Sequence, residues 1–303
     1  MPIVIPKNLP AYQILSGENI FVINEIRARA QDIRPIEIAI VNLMPTKIVT
    51  ETQLMRLLSN SPLQVNVTLV KMNYESKNTS AEHLEKFYNT FGQIKDRRFD
   101  GMIITGAPVE TLDFDKVAYW QELCQVLEYA KTRVTSSIFI CWGAQAALKY
   151  YYDIEKTPLD KKLFGVFKNS AETLHEPLLK GLNDEFYVPM SRHTTIDESL
   201  IRARKELQIL ARDKGGVSIL KSADNKNFFF FGHSEYDRET LKLEYLRDKQ
   251  KGLNPQPPEN YFTDDSQDNI NVNWRGSAHI LFGNWLNYYV YQSTPYDMQE
   301  IGT

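Results

Sequence analysis

The stretch Ile138-Phe139-Ile140-Cys141-Trp142-Gly143-Ala144-Gln145 runs from an apolar, β-branched segment straight into a segment of helix formers, with a cysteine at the junction. A strand that turns this tightly into a helix pushes one side chain out over the carboxyl edge of its sheet, the arrangement of a nucleophile elbow. The helix N-terminus favours an anion there, and nearby backbone N–H groups can hold an oxyanion. Gly143 allows a close backbone approach. An isolated cysteine at a strand end is more often inert core, so the surrounding segments have to decide.

Outward from this junction the chain alternates. Ile36–Leu43 is apolar and β-branched and stops at Pro45, which cannot donate to a ladder. A helix is expected over about 51–58, a strand over 65–70, a helix over 81–94 from the spacing of His83, Leu84, Phe87 and Phe91, and a strand over 102–105. A helix over 117–130, the strand 137–140 and a helix over 144–151 complete the series. Strand and helix in this order predict an α/β fold, a three-layer sandwich with a parallel sheet covered on both faces.

Residues 1–35, with Pro2, Pro6 and Pro10, read as an N-terminal arm packed over a single α/β domain spanning 36–303. The second half offers strands at 164–167, 186–188, 207–211, 217–220 and 228–231, and a helix at 239–249. A proline-rich surface loop follows at 252–258. The aromatic tail Trp285-Leu286-Asn287-Tyr288-Tyr289-Val290-Tyr291 is expected to dock on the domain.

Composition narrows the class. The chain has 303 residues, and 43% hydrophobic and 12% aromatic residues can build a core without a disulfide or metal staple. A net charge of −3 lacks the excess expected of a nucleic-acid binder. No apolar run is long enough to span a membrane, and no leader pattern opens the chain. The two cysteines, Cys124 and Cys141, fit a reducing cytoplasm. Cys124 lies inside the 117–130 helix and reads as core.

A thiol nucleophile needs a base, and the base needs orienting. Phe228-Phe229-Phe230-Phe231-Gly232-His233-Ser234-Glu235 offers both at the end of another apolar strand. Extended geometry would put His233 and Glu235 on one side, so that Glu235 sets the imidazole tautomer. A surface histidine is the plain alternative, and no third ligand has metal-site spacing. The turn Thr105-Gly106-Ala107-Pro108-Val109-Glu110 follows a strand and should lie beside the elbow. Gly106 could then offer its N–H to an oxyanion; a plain tight turn is the alternative.

These residues sit within longer strings. Asn42-Leu43-Met44-Pro45-Thr46-Lys47, Leu57–Gln64, Gly106-Ala107-Pro108, Cys141-Trp142, Gly232-His233 with Glu235-Tyr236, and Asn284–Gln292 together make the chain resemble the homoserine O-acyltransferases of the MetA type over nearly its whole length. The resemblance implies a flavodoxin-like, class I glutamine amidotransferase-like fold, an acyl-CoA donor, an acyl-cysteine and transfer to the side-chain hydroxyl of an amino acid. Position by position it implies Cys141 as nucleophile, His233 as base and Glu235 as its partner. Backbone N–H groups of Trp142 and Gly106 would form the oxyanion hole. Lys47 would lie near the acyl site, and Lys162, Ser191 and Arg247 would bind substrate.

At Glu110 the resembling family carries Glu in acetyl-CoA users and Gly in succinyl-CoA users. The electrostatics agree: two like charges about 5 Å apart cost on the order of 3 kcal/mol at an effective dielectric near 20, about two orders of magnitude in rate. The expected donor is acetyl-CoA, consumed as substrate, with no cofactor and no metal. The expected acceptor is L-homoserine. Two departures from the family strings, Met190 before Ser191 and Arg275-Gly276-Ser277-Ala278-His279 before the tail, leave L-serine as the alternative, one methylene apart. Succinyl-CoA as donor is the other alternative, and a glutamine amidotransferase-like hydrolase is more remote. A homodimer is left open.

Overall fold

The computed structural model describes every residue except 1, 2, 19, 21, 30–33, 75–77, 174 and 303. The chain begins with β1 (Ile3–Val4), α1 (Pro10–Gly17), β2 (Val22–Ile23) and a short α2 (Glu25–Arg29). Next come β3 (Ile36–Val41), α3 (Lys47–Leu58), β4 (Val65–Val70), α4 (Ala81–Phe87), β5 (Tyr88–Asn89) and α5 (Phe91–Ile94). β6 (Phe99–Ile104), α6 (Trp120–Arg133), β7 (Val134–Ile140) and α7 (Trp142–Tyr152) lead to the elbow and past it. The second half adds β8 (Lys156–Ala171), β9 (Glu185–Ile196), α8 (Glu198–Arg202), β10 (Leu207–Asp213), β11 (Gly216–Ser222), β12 (Asn227–Phe230), α9 (Thr240–Gln250) and α10 (Arg275–Asn284).

All the strands join one sheet, in the order β2-β1-β4-β3-β6-β7-β12-β11-β10-β8-β9, with β5 beside β4. From β2 to β12 the pairing is parallel; from β12 to β9 it is antiparallel. The parallel strands are apolar on both faces because helices cover both. Ile38, Ile40, Ile103, Ile138 and Ile140 face α1, α3 and α10. Their odd-even neighbours Ala39, Val41, Met102, Ile104 and Phe139 face α6 and α7. That alternation makes the three layers.

Three expectations need correction. Residues 1–35 do more than pack over the sheet: β1 pairs with β4 and β2, and so extends the parallel edge, while Pro2 and residues 30–33 lie outside the described residues. The helix expected over 81–94 is cut at Tyr88-Asn89, which pair with Leu69-Val70. Tyr88 is drawn in because its hydroxyl donates to buried Glu51 at 2.6 Å, and a Thr90/Gln93 capping box then restarts the helix as α5. Of the second-half strands, whose direction the alternation did not fix, β12 pairs parallel with β7, and β11, β10, β8 and β9 form the antiparallel extension beyond it. Its long β8–β9 hairpin carries Lys162 and Ser191.

The tail docks as expected, as a wide π-helical turn over Trp285–Tyr291. Gly101 makes room for it: a Cβ there would stand 2.8 Å from the Trp285 ring. The Trp285 indole N–H donates to the Ser136 hydroxyl at 2.9 Å.

Candidate active site

Cys141 ends β7 and caps α7 with φ 51° and ψ −115°. A non-glycine residue in this region carries about 1–3 kcal/mol of strain, held here by its surroundings. Its own N–H donates to the Phe230 carbonyl at 2.6 Å. Two residues on, Gly143 lets α7 press against the end of β6. A Cβ at 143 would lie 2.7 Å from the Thr105 oxygen and 2.9 Å from that of Ile104.

β12 lies beside β7 with Phe230 level with Ile140, so the chain beyond each strand emerges at the same sheet edge. His233 is anchored there by its N–H to the Pro189 carbonyl at 2.8 Å. Its Nδ1 meets Glu235 Oε1 at 2.7 Å, and the Cys141 thiol hydrogen-bonds the same imidazole. A turn, closed by the Tyr236 N–H on the His233 carbonyl at 3.2 Å, brings His233 and Glu235 together. The extended spacing expected from sequence is not what does it. Tyr236 stacks on the imidazole at 4.1 Å. Burial works against the imidazolium of His233, but the charges of Glu235 and Cys141, with their hydrogen bonds, outweigh it and hold its pKa well above the ordinary histidine value.

Gly106 comes close on the other side. A Cβ there would be 3.2 Å from that of Cys141 and 3.3 Å from His233 Cε1. Among the described residues nothing accepts from the N–H of Gly106 or of Trp142, and the latter is a free donor of the α7 N-terminus. Both flank Cys141.

Cys141 and His233 open into a cavity of about 330 Å³ whose wall includes Met44, Thr46, Pro108 and Glu110. Lys162, Ser191 and Arg247 line it as well, joined through a residue that sequence reading missed. Glu244 Oε1 accepts from Lys162 Nζ at 2.7 Å and from Ser191 Oγ at 2.6 Å. Arg247 Nη2 is 3.6 Å from the same oxygen and 2.7 Å from Asp248 Oδ1. Glu244, Arg247 and Asp248 share a face of α9, and their i, i+3, i+4 spacing was the available signal. Two carboxylates and two cations at one wall suit a zwitterion.

Glu110 is half-buried, and Thr194 Oγ1 lies 3.3 Å from its Oε2 and 2.9 Å from Gln145 Oε1. One hydroxyl proton cannot serve two acceptors, and Gln145 Nε2 is buried without a partner. Thr194 thus donates to Gln145 or to Glu110, never to both at once, and links the two at the cavity wall.

Lys47 stands next to three residues that line the cavity, Met44, Pro45 and Thr46. It is 1% exposed, and its ammonium turns inward to the carbonyls of Asn42, at 2.5 Å, and Met44, at 3.3 Å. Lys47 holds that loop from behind. Burial pulls its pKa down to about 8, with Glu51 opposing. Met190 is also removed from the cavity wall. It is buried under Gly232, where a Cβ would meet its sulfur at 2.9 Å. Arg275 and His279 line a different cavity. Cys124 is half-buried on α6, its thiol pushed up by burial. Among the described residues no His, Cys, Asp and Glu cluster could hold a metal, and no helix is long and apolar enough to cross a membrane.

An elbow cysteine beside a buried His–Glu pair, at the edge of a largely parallel sheet, is the plan of the glutamine amidotransferase-like fold. Solved structures agree on the fold. A glutamine amidotransferase from Thermotoga maritima superposes with a TM-score of 0.56 at 11% identity, over 86% of this chain and all of that one. One from Methylobacillus flagellatus gives 0.52 at 13% identity, over 84% and 95%.

Within that fold, the family model for homoserine O-succinyltransferase matches residues 2–296, and the chain belongs to that family. Its relatives include the homoserine O-acetyltransferase of Clostridium acetobutylicum, 56% identical over 98% of this chain and all of the relative. Homoserine O-acetyltransferase 1 of Ilyobacter polytropus is 55% identical over 98% and 99%. That of Methanomethylophilus alvi is 53% identical over 100% and 99%.

Proposed function

We propose that this chain transfers the acetyl group of acetyl-CoA to the side-chain hydroxyl of L-homoserine, through an acetyl thioester on Cys141. The observation that carries the reading is that relatives more than half identical over their full length are named homoserine O-acetyltransferases. The cavity chemistry supports it. His233 takes the Cys141 proton, the thiolate attacks the thioester carbonyl, and CoA leaves with that proton. His233 then takes the hydroxyl proton of homoserine; the oxygen attacks the acetyl carbon and the Cys141 thiolate departs. Glu235 stabilises the imidazolium formed in each half-reaction. The N–H groups of Gly106 and Trp142 hold the oxyanion.

The acceptor carboxylate would meet Arg247 and Lys162, with the Arg247 fork suited to it. Its ammonium would meet Glu244 and Asp248. Glu110, a carboxylate on the cavity wall, opposes the second charge of succinyl-CoA and leaves acetyl unopposed. L-serine is the lesser reading, because Met190 and the 275–279 segment, which had raised it, stand outside the cavity. Acetyl-CoA is a substrate, so no resident cofactor is required, and we place the reaction in the cytoplasm.

The test is CoA release from acetyl-CoA and succinyl-CoA, each with L-homoserine and L-serine. Turnover greatest with acetyl-CoA and homoserine is expected. Greater turnover with serine or succinyl-CoA, or ammonia release from glutamine, would replace the reading.

A further inference from the structure

A second cavity, about 1040 Å³, lies between α3, α9 and α10. It adjoins the first along α3 and α9, though the two share no lining residue. On α9, Leu243 of the second cavity and Arg247 of the first are i, i+4 neighbours on one face. On α3, Thr46 of the first and Val49 of the second are i, i+3 neighbours. The two helices therefore run antiparallel along one groove, tied beneath by Gln53 Nε2 donating to Thr240 Oγ1 at 2.9 Å.

The groove changes character along its length. Its middle is apolar and open: Val49 is 48% and Leu243 63% exposed. Its far end carries three guanidiniums, Arg56, Arg238 and Arg275, and three carboxylates, Glu18, Asp237 and Glu239. Arg56 is held by Glu18 and Asp237 at 2.5–2.6 Å, which uses those two carboxylates, and Glu239 lies against Arg238 at 3.5 Å. Arg275 has no ion pair among the described residues, and the buried Nδ1 of His279 has no hydrogen-bond partner. Burial lowers the His279 pKa, and Arg275 and Arg56 lower it further, so the ring is neutral beside Arg275. From Lys47 to Arg56 the helix rises about 14 Å, near the length of an extended pantetheine arm. An apolar groove between the cavity of a thioester-attacking cysteine and a guanidinium without an ion pair, Arg275, beside the unpartnered imidazole nitrogen of His279, matches one ligand chemistry: a thioester, an amide-and-methyl arm and a phosphorylated nucleotide.

We propose that this groove seats the acyl-CoA donor, with the pantetheine arm on Val49 and Leu243 and the phosphates on Arg238, Arg275 and His279. The inference rests on the acetyl-CoA reading above. It gives the 275–279 segment a place at the donor's far end and none at the acceptor.

The test compares acetyl-CoA with acetyl-pantetheine, which lacks the phosphates, as donors to L-homoserine for the wild type and for Arg238→Ala/Arg275→Ala. Each charge-assisted hydrogen bond lost costs about tenfold in affinity or more. The double variant should raise KM for acetyl-CoA at least tenfold and keep KM for acetyl-pantetheine within about twofold. Val49→Asp should raise KM for both donors. An unchanged KM for acetyl-CoA in the double variant, or equal losses with both donors, overturns the seat while leaving the acetyltransferase reading intact. No wild-type turnover with acetyl-CoA overturns both.

Discussion

Replacing Glu235 with Gln keeps the size of the side chain and an oxygen that can accept from His233 Nδ1 at the 2.7 Å contact, but removes the charge. That charge faces the imidazolium in a site where both residues are buried. At about 4 Å between charge centres and an effective dielectric near 20, the pair is worth about 4 kcal/mol. Part of this is recovered by the remaining hydrogen bond, so the barrier to forming imidazolium should rise enough to slow acylation by about 10² to 10³.

The assay is single-turnover CoA release at saturating acetyl-CoA, with the urea midpoint measured on the same protein to confirm the fold. Histidine NMR should show the His233 imidazolium titrating lower in Glu235→Gln, since the carboxylate charge that most favours it is gone. The stability sign follows. A folded pKa above the unfolded value near 6.5 gives stability that is fully present below that value and is lost as pH rises through the folded pKa. Glu235→Gln should flatten that dependence. A folded variant with less than a tenfold loss in acylation would refute the role given to the carboxylate.

Other changes test other parts. Lys47 has its folded pKa lowered from 10.5 to about 8, so the unfolded chain binds the proton more tightly. Wild-type stability should gain up to about 3 kcal/mol from this group as pH rises from 8 to 10.5, a slope that Lys47→Met should lose in denaturant titrations. Glu110→Gly should raise the succinyl-CoA to acetyl-CoA turnover ratio by about 10², read by CoA release. Gly106→Ala puts a methyl 3.2 Å from Cys141 Cβ and should cut kcat about tenfold or more with little change in urea midpoint, because small displacements at reacting atoms are costly. Trp285→Ala should cost about 3–5 kcal/mol on urea denaturation, from the lost ring and the stranded Ser136 hydroxyl.

Much of the parallel half was legible because each strand carries its burial in its pattern. Ile38 and Ile40 alternate with Ala39 and Val41, and both sets are apolar, so the strand must be covered twice. The elbow was legible because Cys141 interrupts a strand–helix junction and Gly143 follows where only a glycine fits against Thr105. The break at Tyr88 was not: its cause is Glu51, distant in sequence, and local spacing still favoured one helix. The pairing of His233 with Glu235 was foreseen from period-two spacing, yet a turn produces it.

The cavity wall around Glu244 was half legible. Lys162, Ser191 and Arg247 came from family resemblance alone, and Glu244, which binds them together, sits on a helix that looks like any solvated one until β8 and β9 fold against it. Lys47, which the resemblance places near the acyl site, gives its ammonium to two carbonyls of its own loop, a partnership the motif alone does not reveal.

The most direct test of the account is the mass of the Cys141 peptide after exposure to acetyl-CoA without an acceptor. The account predicts one acetyl group on Cys141 that is discharged when L-homoserine is added. No adduct in a protein that still turns over, or an adduct that homoserine leaves in place, would contradict it.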